Sequence, residues 1–314
     1  MKKKPQIISI SRRTDIPAYY SEWLINRMKK GYTVYPNPVS GKPVFISLHP
    51  NYVKILVFWT RNPLPMIKHL DYIDQRYRHY MHVTINGLPK ILECNNPSVD
   101  SIINAVKLLS KRYGKHYVQW RFDPIILSTV TPEDFILRRF EYIASQLNGY
   151  IKNCYISFVD LYKKTEINFE KETQRHRIKF ITPTKIEETR VTSKLVQIAE
   201  KYNITINTCA EDHLAEIENV KIGQYINVGL INQIIDNPII NYKIQKSRPG
   251  CHCMNAPDIG YYNSCPHGCI YCYSNKSPEI ALKNSKLYRD MGFPMDELKM
   301  PGTENQQLSL FGSI

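Results

Sequence analysis

The stretch that decides the fold runs from Tyr117-Val-Gln-Trp-Arg-Phe-Asp123-Pro124 through Thr131-Pro-Glu-Asp134 and Asn148-Gly149 to Cys154-Tyr-Ile-Ser-Phe-Val-Asp160. The first and last segments are rich in β-branched and aromatic residues and end in a polar cluster, the pattern of buried strands. Between them Phe135, Phe140, Ile143, Ala144 and Leu147 recur at helical spacing. Thr131 reads as the N-cap, Pro132 as the first helical residue, Glu133 and Asp134 as first-turn acids, and Asn148-Gly149 as the stop. Strand, helix and strand in succession imply two parallel strands joined by a crossover.

The same alternation extends in both directions. Further strand-like runs occupy 7–10, 53–59, 81–86, 204–211 and 259–262, and amphipathic helical stretches cover about 98–112 and 184–202. Seven such repeats predict an α/β fold, a complete or partial (β/α) TIM-like barrel. One unit is expected over 1–285, with a β-hairpin inserted near 32–47 and turning at Val39-Ser-Gly-Lys42, and a flexible tail over 286–314. Barrel chemistry gathers at the carboxyl ends of strands. Arg12, Arg13, Asp15, Asn62, Asn86, Arg121, Asp123, Asp160, Cys209 and Glu211 all fall there and are expected to face one cavity. About half of this set should only cap helices or join ion pairs.

Composition narrows the functional class. The 314 residues carry 42 Lys and Arg against 28 Asp and Glu, a formal net charge of +14 that favours a polyanionic partner such as nucleic acid. The 22 tyrosines add stacking candidates, although most tyrosines are packing residues. No apolar run approaches a membrane span, and Met1-Lys-Lys-Lys-Pro5 is followed by no apolar leader, so a soluble, cytoplasmic protein is expected.

Five of the eight cysteines lie between 251 and 272. Cys265-Pro-His-Gly-Cys269-Ile-Tyr-Cys272 has the spacing C-x-x-x-C-x-x-C, which can hold three corners of a [4Fe-4S] cluster and leave one iron open. A zinc site completed by Cys251, His252 or Cys253 is the alternative, although zinc sites more often use paired C-x-x-C arms and only Cys269 and Cys272 form one. Cys251 and Cys253 are either ligands of an auxiliary cluster or metal, with Cys209 or His252, or a structural thiol pair. Cys94 and Cys154 read as packing residues.

The three-cysteine spacing and its tyrosine resemble the cluster motif of the radical S-adenosylmethionine (radical SAM) superfamily. That resemblance implies a [4Fe-4S] cluster on Cys265, Cys269 and Cys272, SAM as cofactor, an electron donor such as flavodoxin or ferredoxin, and Tyr271 near the adenine. Superfamily members usually place this loop after their first strand. Here it is late, which implies a circularly permuted barrel with the loop beside the first strand. In that order Asp15 serves the SAM amine, and Arg13 or Arg121 pairs with its carboxylate. Asp123 and Glu211 join the catalytic set. Cys209 is either a small buried hydrophobe or a hydrogen-atom donor, as a thiol is in spore photoproduct lyases of the same superfamily.

The whole chain to about residue 276 also resembles the bacterial family known as domain of unknown function 1848. The matching stretches are Ser11-Arg-Arg-Thr-Asp-Ile-Pro17, Phe58-Trp-Thr-Arg-Asn-Pro63, Trp120-Arg-Phe-Asp-Pro124, Ser157-Phe-Val-Asp-Leu-Tyr162, Thr208-Cys-Ala-Glu211, Arg248-Pro-Gly-Cys-His-Cys253 and the cysteine loop. In the tail, Gln307-Leu-Ser-Leu-Phe311 resembles the pentapeptide by which bacterial polymerases and repair proteins bind the sliding clamp. Leu308, Leu310 and Phe311 would enter an apolar groove while Gln307 bonds its rim. An apolar terminus docking on its own fold is the plainer reading. Together these features predict a radical SAM enzyme that repairs or modifies DNA. The alternatives are radical modification of RNA, a peptide or a small metabolite, and a non-catalytic zinc or iron-sulfur nucleic-acid-binding protein.

Overall fold

The computed structural model describes residues 5–240, 244 and 250–298, so Gln307, Leu308, Leu310 and Phe311, along with Arg248 and Pro249, lie outside the described residues. Eleven strands occur among those described: β1 (Gln6–Ile10), β2 (Tyr32–Pro36), β3 (Pro43–Ser47), β4 (Val53–Thr60), β5 (His79–Thr84), β6 (Val118–Ile125), β7 (Leu127–Ser128), β8 (Asn153–Phe158), β9 (Phe180–Ile181), β10 (Thr205–Thr208) and β11 (Val220–Ile222). Seven of them form one parallel sheet in the order β1-β4-β5-β6-β8-β10-β11. The strands β2 and β3 pair as an antiparallel hairpin outside it. No helix among the described residues is long and apolar enough to cross a membrane.

Alternation along each strand gives the sheet two different faces. One parity carries Ile8, Ile10, Phe58, Met81, Val83, Trp120, Phe122 and Ile156, all buried. These residues form the core beneath the crossover helices; Phe140 of helix Glu133–Leu147 stacks on Trp120 at 4.9 Å and meets Phe122 edge-on at 5.1 Å. Each such side chain contributes about 1.5–3 kcal/mol on burial. The opposite parity carries Trp59, Tyr80, His82, Gln119, Arg121, Asp123, Tyr155 and Ser157, a polar and aromatic wall.

Helix ends follow local chemistry. Thr184 caps helix Lys185–Lys201 by a reciprocal capping box with Glu187. Thr131, by contrast, is not an N-cap: its hydroxyl bonds Ser128 Oγ at 2.7 Å, and Pro132 takes the cap position without a side-chain bond.

A closed barrel is not formed: among the described residues no strand joins β11 to β1, and the sheet is open. The run 259–262 is not a strand. It is preceded by one parallel bridge, Ser9 with Asp258, flanked by Ser9 N–H to Pro257 O (2.9 Å) and Ile259 N–H to Ser9 O (3.2 Å). Pairing stops because Asp258 turns its side chain into β1 and the loop after it. Its carboxylate accepts from Ser9 Oγ (2.8 Å), Ser11 Oγ (2.5 Å), Arg12 N (2.7 Å) and Arg12 Nε (3.4 Å), with Arg13 Nε at 3.9 Å. The chain then passes so close to Ser11 that a Cβ on Gly260 would lie 1.8 Å from the Ser11 hydroxyl.

Residues 286–298 do not form a flexible tail. Helix Pro278–Met291 is followed by Phe293, which stacks on Tyr261 at 4.3 Å, and by Asp296, which accepts from Trp23 Nε1 at 2.6 Å.

Burial raises the pKa of Asp258, but the Arg12 and Arg13 charges and the Ser11 hydroxyl outweigh it and hold the carboxyl below the usual carboxylate range. Its contribution is therefore present above about pH 4 and is lost as pH falls through the lower folded value. Asp258→Ala strands two arginines and should lower unfolding stability by about 3–5 kcal/mol near pH 7, read from the urea midpoint. An unchanged midpoint would refute this role.

Candidate functional site

The cysteine loop sits against the carboxyl ends of β1 and β4 and the segment after β5, and each tie has a named donor. His267, between Cys265 and Cys269, bonds Asp15 Oδ2 through Nε2 at 2.7 Å and Tyr19 OH through Nδ1 at 3.2 Å. Asp15 also accepts from Arg61 N (2.7 Å) and Ala18 N (3.0 Å), so one buried carboxylate caps the helix after β1, fixes the end of β4 and holds the loop. Asn95 N donates to His267 O (3.0 Å), and Ile270 N donates to Leu92 O (3.2 Å). Gly268 has φ +71, and a Cβ there would lie 2.3 Å from Cys94 Sγ, so the tight turn needs glycine twice over.

A second tie runs through charge. Arg61 Nη1 pairs with Glu93 Oε1 at 2.7 Å and Arg61 Nη2 donates to Tyr271 OH at 2.7 Å, while Tyr271 OH donates to Glu93 Oε1. Burial pushes the Cys269 thiol up to about 12, with the Arg61 charge pulling it back. Burial, then Cys272 and Asp15, push Cys265 well above the ordinary thiol range. A cation binding these thiols must therefore displace their protons.

Beside the loop, the polar wall is tightly connected. Asp123 pairs with Arg121, accepts from Ser157 Oγ at 2.6 Å, and accepts from Tyr225 OH. The Arg121 guanidinium lies 4.7 Å from the Tyr225 ring and 5.3 Å from Trp59, which stacks on His82 at 4.4 Å. His82 Nε2 donates to Tyr225 O at 2.7 Å; burial, then the Arg121 charge, push its pKa down to about 3, so the ring is neutral and Nδ1 is an acceptor. Among the described residues, Trp59 Nε1, His82 Nδ1 and Arg121 Nε are buried without a hydrogen-bond partner. Three unmet polar atoms on adjacent strands form an unusual concentration in one wall.

A family model described as "Domain of unknown function (DUF1848)" matches residues 7–274. The chain belongs to this family. No curated protein matches it. Both the wall and the cysteine loop of this DUF1848 protein lie within the matched residues.

The structure sorts the sequence-derived candidates into groups. Cys265, Cys269, Cys272, Asp15 and Tyr271 come together at the loop, and Arg121 and Asp123 at the wall. Tyr273, next to Cys272, donates its hydroxyl to Arg12 O at 2.6 Å. Asp15 and Tyr271 commit their polar atoms to protein partners; the side chains of Arg13 and Arg121 pair with Asp258 and Asp123 and stay partly exposed. Cys209 is buried near Tyr225 and Cys253. Cys253 shares a thiol hydrogen bond with the free Cys251, while His252 turns away to pair with Asp212 at 3.0 Å. Glu211 accepts from Phe158 N at 2.7 Å, joining β8 to the end of β10. Asn62 accepts from Leu64 N, a local turn bond.

Asp258, Arg61, Glu93, His267 and Tyr225 carry the site and were not among the candidates read from sequence. Arg61 was legible, because two-residue alternation places it on the wall face with Trp59. Among the described residues no three His, Cys, Asp or Glu side chains are grouped to hold one metal ion. A zinc ion needs donors converging at about 2.3 Å for sulfur. A four-iron cube takes each thiolate on a separate iron and so does not require such convergence.

Two measurements check this description. Arg61→Ala leaves Glu93 buried without its cation and should lower stability by about 3–5 kcal/mol, with faster amide exchange at 269–272; exchange confined elsewhere would refute the tie. Unfolded His82 gains a proton below about pH 6.5, whereas folded His82 holds out to about 3. Folding stability should therefore fall as pH drops through that window, by up to about 1.4 kcal/mol per unit, and His82→Leu should flatten the slope in urea titrations at successive pH values.

Proposed function

We propose that this DUF1848 protein is a radical SAM enzyme that holds a [4Fe-4S] cluster on Cys265, Cys269 and Cys272 and repairs or modifies DNA. The observation that carries the reading is the seating of a three-thiol loop at the carboxyl ends of a parallel sheet, beside a buried polar wall. Parallel α/β sheets bind ligands outside those strand ends. The fold supports a permuted partial barrel, because the segment after 250 links Ile226, beyond β11, to Ser9 of β1: Met254 N donates to Ile226 O at 3.1 Å, and Ser9 N donates to Pro257 O.

When bound, a reduced cluster supplies the electron that cleaves SAM to a 5'-deoxyadenosyl radical able to abstract hydrogen. The chain's own residues do the positioning. Asp15 and His267 hold the first half of the loop, and Arg61, Glu93 and Tyr271 hold the second. Cys269, Ile270 and Tyr271 are all buried. Arg13 and Arg121, each partly exposed beside its own carboxylate partner, would meet a carboxylate or phosphate of the ligand. Trp59 and Arg121 offer donors, and His82 an acceptor, suited to a ligand with polar edges. Cys209, directly after β10 and close to Tyr225, is the thiol that in this reading would return a hydrogen atom.

DNA is favoured by the net charge of +14 and by Gln307-Leu-Ser-Leu-Phe311, which would recruit the enzyme to the sliding clamp. Protein purified without oxygen, reconstituted with iron and sulfide, reduced and given SAM should turn brown and release 5'-deoxyadenosine. Cys265→Ala, Cys269→Ala and Cys272→Ala should each abolish both signals. A colourless zinc protein would sink the proposal. Leu310→Ala with Phe311→Ala should abolish capture by immobilised clamp, and failure of the unmodified chain to bind would remove the recruitment reading.

A further inference from the structure

Three exposed tyrosines border the cysteine loop. Tyr162, Tyr273 and Tyr262 are 44%, 46% and 42% exposed, whereas Tyr20, Tyr80 and Tyr155 are buried. The rings of Tyr162 and Tyr273 lie 6.3 Å apart. Tyr273 and Tyr262 stand on adjoining segments joined by Asn263 N donating to Ser274 O at 3.1 Å. Tyr273 directly follows Cys272, and Tyr262 lies just before Cys265, so they border both ends of the thiol triplet.

Positive charge lies beside these rings. The Arg13 guanidinium lies 5.3 Å from the Tyr262 ring centroid, Lys164 Nζ donates to the Tyr273 carbonyl, and exposed Lys276 is tied through its backbone to Asn263. Exposed Asp160 and Glu166 flank only the Tyr162 end. Adjacent exposed aromatic faces interleaved with cations are the recognition chemistry of an unpaired nucleic-acid strand: bases stack on rings and phosphates meet the cations. Paired bases in a duplex offer no such faces.

We propose that Tyr162, Tyr273 and Tyr262 form a stacking platform that delivers single-stranded DNA to the cysteine loop. The choice of DNA rests on the function proposed above; the platform itself does not depend on SAM chemistry. Binding of a fluorescein-labelled thymine oligonucleotide, a duplex and a uridine oligonucleotide to the full, cluster-reconstituted chain tests it by anisotropy. The thymine strand should bind more tightly than either competitor, with affinity falling as salt rises. Tyr162→Ala with Tyr273→Ala should weaken it roughly tenfold or more, while Tyr162→Phe with Tyr273→Phe keeps the rings and the affinity. Matching melting temperatures establish that both variants fold. Equal binding by the alanine variant, a preference for duplex, tighter RNA binding, or no binding by the unmodified chain would each overturn the proposal. SAM cleavage assayed without DNA separates the two ideas: cleavage without stacking removes the platform alone, and stacking without cleavage removes the radical chemistry alone.

Discussion

A buried carboxylate, Asp258, joins the two ends of the molecule that the site requires. Its partners Ser9, Ser11, Arg12 and Arg13 belong to the first strand and the loop that follows it, some 250 residues away in the chain. In a low-dielectric interior two arginines and two hydroxyls around one carboxylate make a geometry that few alternatives can match. Without that contact the segment leading to Cys265 has one parallel bridge to hold it against β1. Burial of Asp258 thus holds the late, cysteine-rich stretch against the first strand.

The sheet supports this by separating its two faces. One face is apolar and packs under helices, which supplies the rigidity. The other carries Arg121, Asp123, His82 and Tyr155 in a network with Tyr225. Burying such groups has a large desolvation cost, and the network meets most of it internally. The unmet atoms on Trp59, His82 and Arg121 are the exceptions, and they sit on three neighbouring strands.

Around the cysteine loop the same logic reassigns residues that look like ligand contacts. Asp15 has three protein donors on two oxygens, and Tyr271 is locked between Arg61 and Glu93. Their chemistry is positional. They fix the backbone that presents the thiols.

The strands β4, β6 and β8 and the helices Val99–Tyr113 and Lys185–Lys201 were legible in the sequence, because strand and helix periodicities are properties of the local backbone. So were the cysteine loop and the clustering of polar residues at strand ends. Helix Lys163–His176 was not, since it buries little more than Thr165 and Phe169 and so has almost no apolar stripe. The three-residue β11 is too short to show a period. The open edges of the sheet, the pairing of Asp15 with His267 and of Arg61 with Glu93, and the packing of Phe293 on Tyr261 were decided by tertiary structure. Hydrogen bonds and ion pairs act over a few Å through space, so a polar residue's role depends on what the fold brings beside it. By itself the chain determined its alternating elements and its three-thiol motif; only the folded molecule decided which side chains hold that motif in place.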